Sequence, residues 1–142
     1  TKKIALQIAS ELDADIEELI DTDARLGAWG YLKSGREAIQ KKLAVLQPQK
    51  YKPAEYDLII IGTPTWAAAM ACPLRTYLSS NQGAIKAVAF FATHGSSGGE
   101  NAIRQMAKLS NLEPRAELAL TTREVLKDMA NEKLQTFLAR LK

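Results

Sequence analysis

Cysteine and histidine are scarce in this chain, with one of each in 142 residues, and long apolar runs are missing. A lone cysteine excludes an internal disulfide, so a reducing, cytoplasmic setting is the expectation. No apolar stretch approaches the roughly 20 residues that cross a bilayer, and no membrane span is expected. No Cys/His/Asp/Glu grouping has metal-ligand spacing, and no Ser/His/Asp set is arranged for nucleophilic catalysis. Charge is nearly balanced: 19 Lys and Arg against 16 Asp and Glu leave +3. Basic residues cluster between Lys33 and Lys52 without a nucleic-acid-binding motif. They read as a solvated helical face, and no nucleic-acid partner is expected. No repeat, linker or low-complexity segment divides the chain, so 1–142 is expected to be one domain.

What is present alternates helix and strand. Ile4, Ile8 and Leu12 recur at helical spacing, predicting a first helix over about 2–12. Residues 14–20 alternate around Ile16, Glu18 and Ile20, as a half-exposed edge strand would. Residues 21–33 show no period and read as loop, while Ile39, Leu43 and Leu46 mark a second helix ending before Pro48. Leu58 to Ile61 has the β-branched content of a strand buried on both faces, stopped by Gly62 and Pro64. A helix beginning near Pro73 follows, then a strand at 86–92 and a helix from about Glu100 to Ser110. A last strand at 115–121 and a helix with the stripe Leu134, Phe137, Leu138 and Leu141 close the chain. This order predicts an α/β fold with a parallel sheet and right-handed crossovers. Trp66 is expected in a loop at the carboxyl end of a strand, where open α/β sheets bind ligands, as a stacking surface for a flat ligand. The competing reading is a tryptophan folded over the core.

Gly62-Thr-Pro-Thr-Trp-Ala67 resembles the flavin-contacting loop after the third strand of flavodoxin-like proteins. Lys86–Thr93 followed by His94-Gly-Ser-Ser-Gly-Gly99 resembles the next strand and the next flavin-contacting loop of that family. Thr1-Lys-Lys-Ile-Ala resembles the start of its first helix, directly after a phosphate loop whose pattern ends in Gly-Asn-Thr. The likeness runs along essentially the whole chain. It implies a flavodoxin-like three-layer sandwich with strand order 2-1-3-4-5, the arrangement for which flavodoxin is the standard example, with FMN at the switch point. The first strand of that order is not among these residues, which implies either about ten further residues before Thr1 or a second polypeptide in the slot.

The resemblance implies FMN as cofactor and assigns roles by position. Trp66 would stack on the isoalloxazine ring. Thr63, Pro64, Thr65, Ala67 and Ala68 would line the ring's polar edge and ribityl chain, with small residues allowing close backbone approach. Thr93, His94, Gly95, Ser96, Gly98 and Gly99 would contact the pyrimidine end, the glycines supplying positive φ and exposed amide donors. Thr1 and Lys2 would sit beside the phosphate at a helix N-terminus. His94 reads either as a proton donor or, more simply, as a surface-loop histidine. Cys72, before Pro73, reads best as a buried small hydrophobe, and Trp29 and Tyr31 as a roof over the flavin, a subunit contact or a satellite core cluster. The implied function is electron transfer with a redox partner protein, or two-electron reduction of a small quinone-like acceptor, with a homodimer left open. The alternative is a cofactor-free flavodoxin-like binding or assembly module.

Overall fold

The computed structural model describes residues 1–22 and 43–142. The loop reading over 23–33 with Trp29 and Tyr31, Ile39 of the second helix, and basic residues 33–42 lie outside the described residues. Helix α1 is Lys2–Leu12. Strand β1 is Ile59–Trp66, β2 is the two-residue Ala69–Met70, β3 is Val88–His94 and β4 is Glu117–Thr121. Helices α2, Cys72–Ser80, and α3, Gly99–Ser110, alternate with the strands, and α4, Thr122–Leu126, and α5, Asn131–Ala139, close the chain.

The sheet order is β2-β1-β3-β4; β1 pairs parallel with β3, and β3 with β4. These three parallel strands are the third to fifth of the expected order. The two-period of a strand sorts their side chains into two cores. Ile60 of β1, Ala89 and Phe91 of β3, and Leu118 and Leu120 of β4 pack on Ile4, Ile8, Leu134, Phe137 and Leu138 of α1 and α5. Ile61, Val88, Phe90 and Ala92 pack on Leu74 and Leu78 of α2 and Ala102, Ile103 and Met106 of α3. The result is the expected three-layer sandwich. Leu138 and Phe137 are buried as the helical stripe predicts, and so is Cys72.

Three expectations change. Residues 14–20 are not a strand: Ile16 and Ile20 are exposed, and the alternation has no sheet beside it among the described residues. The backbone bonds elsewhere instead. Gln47 N donates to Ile20 O, Thr22 N donates to Val45 O, and Glu17 accepts from the amides of Lys50 and Tyr51. Residues 43–48 are not helical, because Leu46 bridges Asp21 and the amide of Ala44 is held by Thr76 Oγ1 at 2.7 Å. The strand buried on both faces is β3, in which all seven residues are buried, while Leu58 to Ile60 are half-buried. Position in the sheet decides this. β3 lies between two partners, whereas β1 has only the short hairpin strand on its other side among the described residues.

β4 passes into α4 without a connecting loop, through a capping box. Thr121 Oγ1 accepts from Glu124 N at 3.1 Å, and Thr121 N donates to Glu124 Oε2 at 2.7 Å. Lys133 Nζ donates to Glu124 Oε1 at 2.6 Å. This ammonium, then the Thr121 amide and hydroxyl, hold the Glu124 carboxyl down to about 2, from an ordinary 4.5. A carboxyl so lowered stabilises the fold above its ordinary value and ceases to as pH falls toward 2. Glu124→Gln is expected to cost about 1 kcal/mol at neutral pH, the scale of a lost cap. Denaturant midpoints of the two proteins should converge between pH 4.5 and 2.

Candidate functional site at the carboxyl ends of the strands

β1 does not stop at Gly62. It continues through Pro64 to Trp66, because Gly62 leaves room for a ring: a Cβ there would lie 2.0–2.6 Å from three atoms of the Phe91 side chain. Pro64 is tolerated at this lightly partnered strand, where a missing N–H costs little. Trp66 is therefore the last residue of a strand rather than part of a loop, half-buried and paired with Ala69 across the turn Ala67-Ala68. Both alanines have positive φ, 49° and 58°. Two-residue hairpins require that geometry and usually fill it with Asn-Gly. The turn is exposed, yet held from outside. Asn101 Nδ2 and Gln105 Nε2, both on α3, donate to the Ala68 carbonyl at 2.6 and 3.4 Å.

Thr63 lies beneath this turn, fully buried. Its hydroxyl donates to Pro64 O at 2.8 Å and accepts from Ala71 N at 3.0 Å. Its side chain is thus committed to the hairpin. Thr65 is half-buried, and its Oγ1 is enclosed with no hydrogen-bond partner among the described residues.

β3 ends beside it. Thr93 stands opposite Pro64, and its hydroxyl shares a 2.5 Å hydrogen bond with that of Thr1, the N-cap of α1. The helix start is thereby tied to the strand end. Lys2 is exposed, and its ammonium pairs with Glu18 at 2.9 Å. His94 is not a surface-loop residue. It closes β3, is 9% exposed, and lies against Gly99, where a Cβ would be 2.5 Å from its Cδ2. Its carbonyl accepts from Thr122 Oγ1, and its buried Nδ1 has no partner among the described residues. Gly95, Ser96 and Ser97 are exposed, and Gly98, at φ 94°, is the N-cap of α3. A Cβ on Gly98 would come within 2.8 Å of Ala68 Cα and 3.2 Å of Thr65 Cγ2. The loop before α3 and the hairpin of β1 and β2 therefore touch backbone to backbone.

Thr1, Thr65, Trp66, Ala67, Ala68, Thr93 and the 95–99 loop thus converge at one edge of the sheet, with Thr63 below them and the Lys2 side chain turned toward Glu18. Sequence reasoning missed Asn101, Gln105 and Thr122. Asn101 and Gln105 are four apart on one face of a helix, a signal that gains meaning only once the helix faces the turn. The edge is an open surface. A cleft of about 500 Å³ lined by Gln82, Ile85, Lys108 and Asn111 lies at the other end of α3. No helix among the described residues is long and apolar enough to cross a membrane, and no group of three metal-ligating side chains occurs among them.

Backbone amides at a helix start, unpartnered polar atoms and an indole on one edge suit a planar ligand that carries an anion. The family profile described as Flavodoxin matches residues 1–138. A flavoprotein from Lactobacillus acidophilus, solved in complex with FMN, is 27% identical, with 89% of each chain covered and a TM-score of 0.71. The apo-form of the flavoprotein from that organism, solved by NMR, is 25% identical over 89% of this chain and 87% of its own, with a TM-score of 0.53. A Bacteroides uniformis structure assigned as a flavoprotein shares the fold at 24% identity, TM-score 0.74, over 92% of this chain and 90% of its own. No curated protein matches the chain. A match spanning all but the last few residues, on a fold of this topology, places the chain in the Flavodoxin family.

Proposed function

We propose that this protein binds FMN across the 65–68 turn and the 93–99 loop and carries out redox chemistry with it. The observation that carries the reading is the contact of Gly98 with Ala68 and Thr65, which joins the two loops into one platform beside Thr1 and Thr93. The residues fit the cofactor. The buried Nδ1 of His94 and Oγ1 of Thr65 lack partners among the described residues, and a ligand's polar edge would relieve that cost. Trp66 at the strand end offers its indole face for stacking. Thr1 and the amides of Lys2 and Lys3 open α1, and the positive end of its dipole would hold the phosphate.

FMN supplies the electron-accepting ring, and the chain sets its position and exposure. Thr63 braces the hairpin from below through Pro64 and Ala71. Asn101 and Gln105 fix the Ala68 carbonyl, so the turn keeps its shape when a ligand arrives. Exposed Gly95, Ser96 and Ser97 leave one side of the platform open to an electron donor or acceptor. The finer reading is transfer to a redox partner protein, or two-electron reduction of a small quinone-like acceptor, by a single cytoplasmic domain spanning 1–142.

Titration of FMN, followed by quenching of its fluorescence, tests this. The expected result is saturable binding, weakened in Trp66→Ala by about 1–3 kcal/mol, the scale of a lost base–aromatic stack. An unchanged dissociation constant would leave Trp66 a purely structural role. Absence of binding in the unmutated protein would transfer the reading to a cofactor-free module.

A further inference from the structure

Arg75 is a cation in an unfavourable place. It is 9% exposed, and its Nε is buried without a hydrogen-bond partner. No carboxylate among the described residues pairs with it. Its single polar contact among the described residues is long: Nη2 to Gln105 Oε1 at 3.4 Å. It also lies in the first turn of α2, which starts at Cys72, where the helix dipole disfavours a cation. A buried, uncompensated guanidinium at the positive end of a helix lowers stability. Local rules broken in this way concentrate at functional sites.

Its neighbourhood shows what the charge acts on. Gln105 accepts from Arg75 through its carbonyl and donates through its amide nitrogen to Ala68 O, which Asn101 also holds. The guanidinium therefore stands one side chain behind the turn that the proposed function places against the flavin ring. Its field is only partly screened there, because the side chain is 9% exposed. Reduction of bound FMN takes up two electrons from a reductant and one proton from solvent, which adds one negative charge to the ring. A fixed positive charge behind the turn favours that product over the oxidised form.

Resting on the FMN reading, we propose that Arg75 is a positioning residue that biases the site toward reduced FMN. Its charge acts through space, without touching the cofactor. Two quantities separate this from a structural role: the dissociation constant of oxidised FMN, and the two-electron potential of bound FMN in a mediated electrode titration. Arg75→Met is expected to change the first less than threefold. It should lower the second by about 30 mV, a tenfold loss of affinity for the reduced form. Arg75→Lys should keep most of the wild-type potential. Gln105→Leu, which removes one of the two donors to the Ala68 carbonyl but keeps the charge, should weaken both forms alike and leave the potential in place. An unmoved potential in Arg75→Met, or equal weakening of both forms, overturns the proposal. Arg75→Gln is the second neutral variant. If both neutral variants fail to fold, the guanidinium serves the fold and the proposal also falls. Failure of the wild type to bind FMN removes the flavin reading itself, whereas normal binding with an unmoved potential removes only the role of Arg75.

Discussion

Gly62→Ala is expected to destabilise the protein by about 3 kcal/mol, the upper end of the usual range for overpacking a core. The added methyl would stand 2.0–2.6 Å from three atoms of the Phe91 ring, which is 2% exposed. That ring is enclosed among α1, α5 and its own strand, so it has no empty space to enter. Either the ring leaves its rotamer or β1 moves away from β3, and both disturb the central strand pair. The check is a double-mutant cycle with Phe91→Leu in denaturant unfolding. Shortening the ring costs stability alone but should return part of the loss in the Gly62→Ala background, giving a coupling of opposite sign to the single effects. Additive effects would show that the Cβ is accommodated by some other movement.

Gly98→Ala should affect both stability and ligand binding. At φ 94° an alanine pays about 1–2 kcal/mol for its backbone alone. Its Cβ would also meet the Ala68 backbone at 2.8 Å, and a backbone cannot yield as a side-chain end does. The hairpin turn must move off the start of α3, loosening the bonds of Asn101 and Gln105 to the Ala68 carbonyl. A platform spread by a few tenths of an ångström loses contact on both sides of the ligand. FMN affinity is expected to fall at least tenfold, about 1.4 kcal/mol, beyond what unfolding accounts for. Fluorescence titration at a temperature where the variant remains folded measures that share. Gly95→Ala is the comparison for stability: its Cβ meets no protein atom within 4 Å, and it should unfold as the unmutated chain does.

The alternation of helices and strands, the stripe Leu134–Phe137–Leu138 and the start of α2 at Cys72-Pro73 were legible because each depends on local periodicity or backbone chemistry. So was the placing of Trp66 and the Gly-Ser-rich loop at strand ends, since a buried β-branched run followed by small residues has few other uses. The strand reading of 14–20 failed for the reason the others succeeded. Alternation states only which face a segment would present, and among the described residues no sheet stands beside these to receive it. The abrupt stop at Gly62 failed because a glycine in a strand weakens it only when nothing fills the space, and Phe91 fills it.

The site divides the same way. Residue order alone placed Thr65, Trp66 and 95–99 at carboxyl ends of adjacent parallel strands, because right-handed crossovers bring those ends to one edge. Nothing local foretold that Thr1 would bond Thr93, 92 positions away, that His94 would be buried against Gly99, or that Asn101, Gln105 and Arg75 would stand behind the turn. Periodicity is carried by neighbours three or four residues apart, so composition and spacing suffice to read it. Contacts such as these depend on how two helices settle on the same sheet, and only the packed tertiary structure decides that.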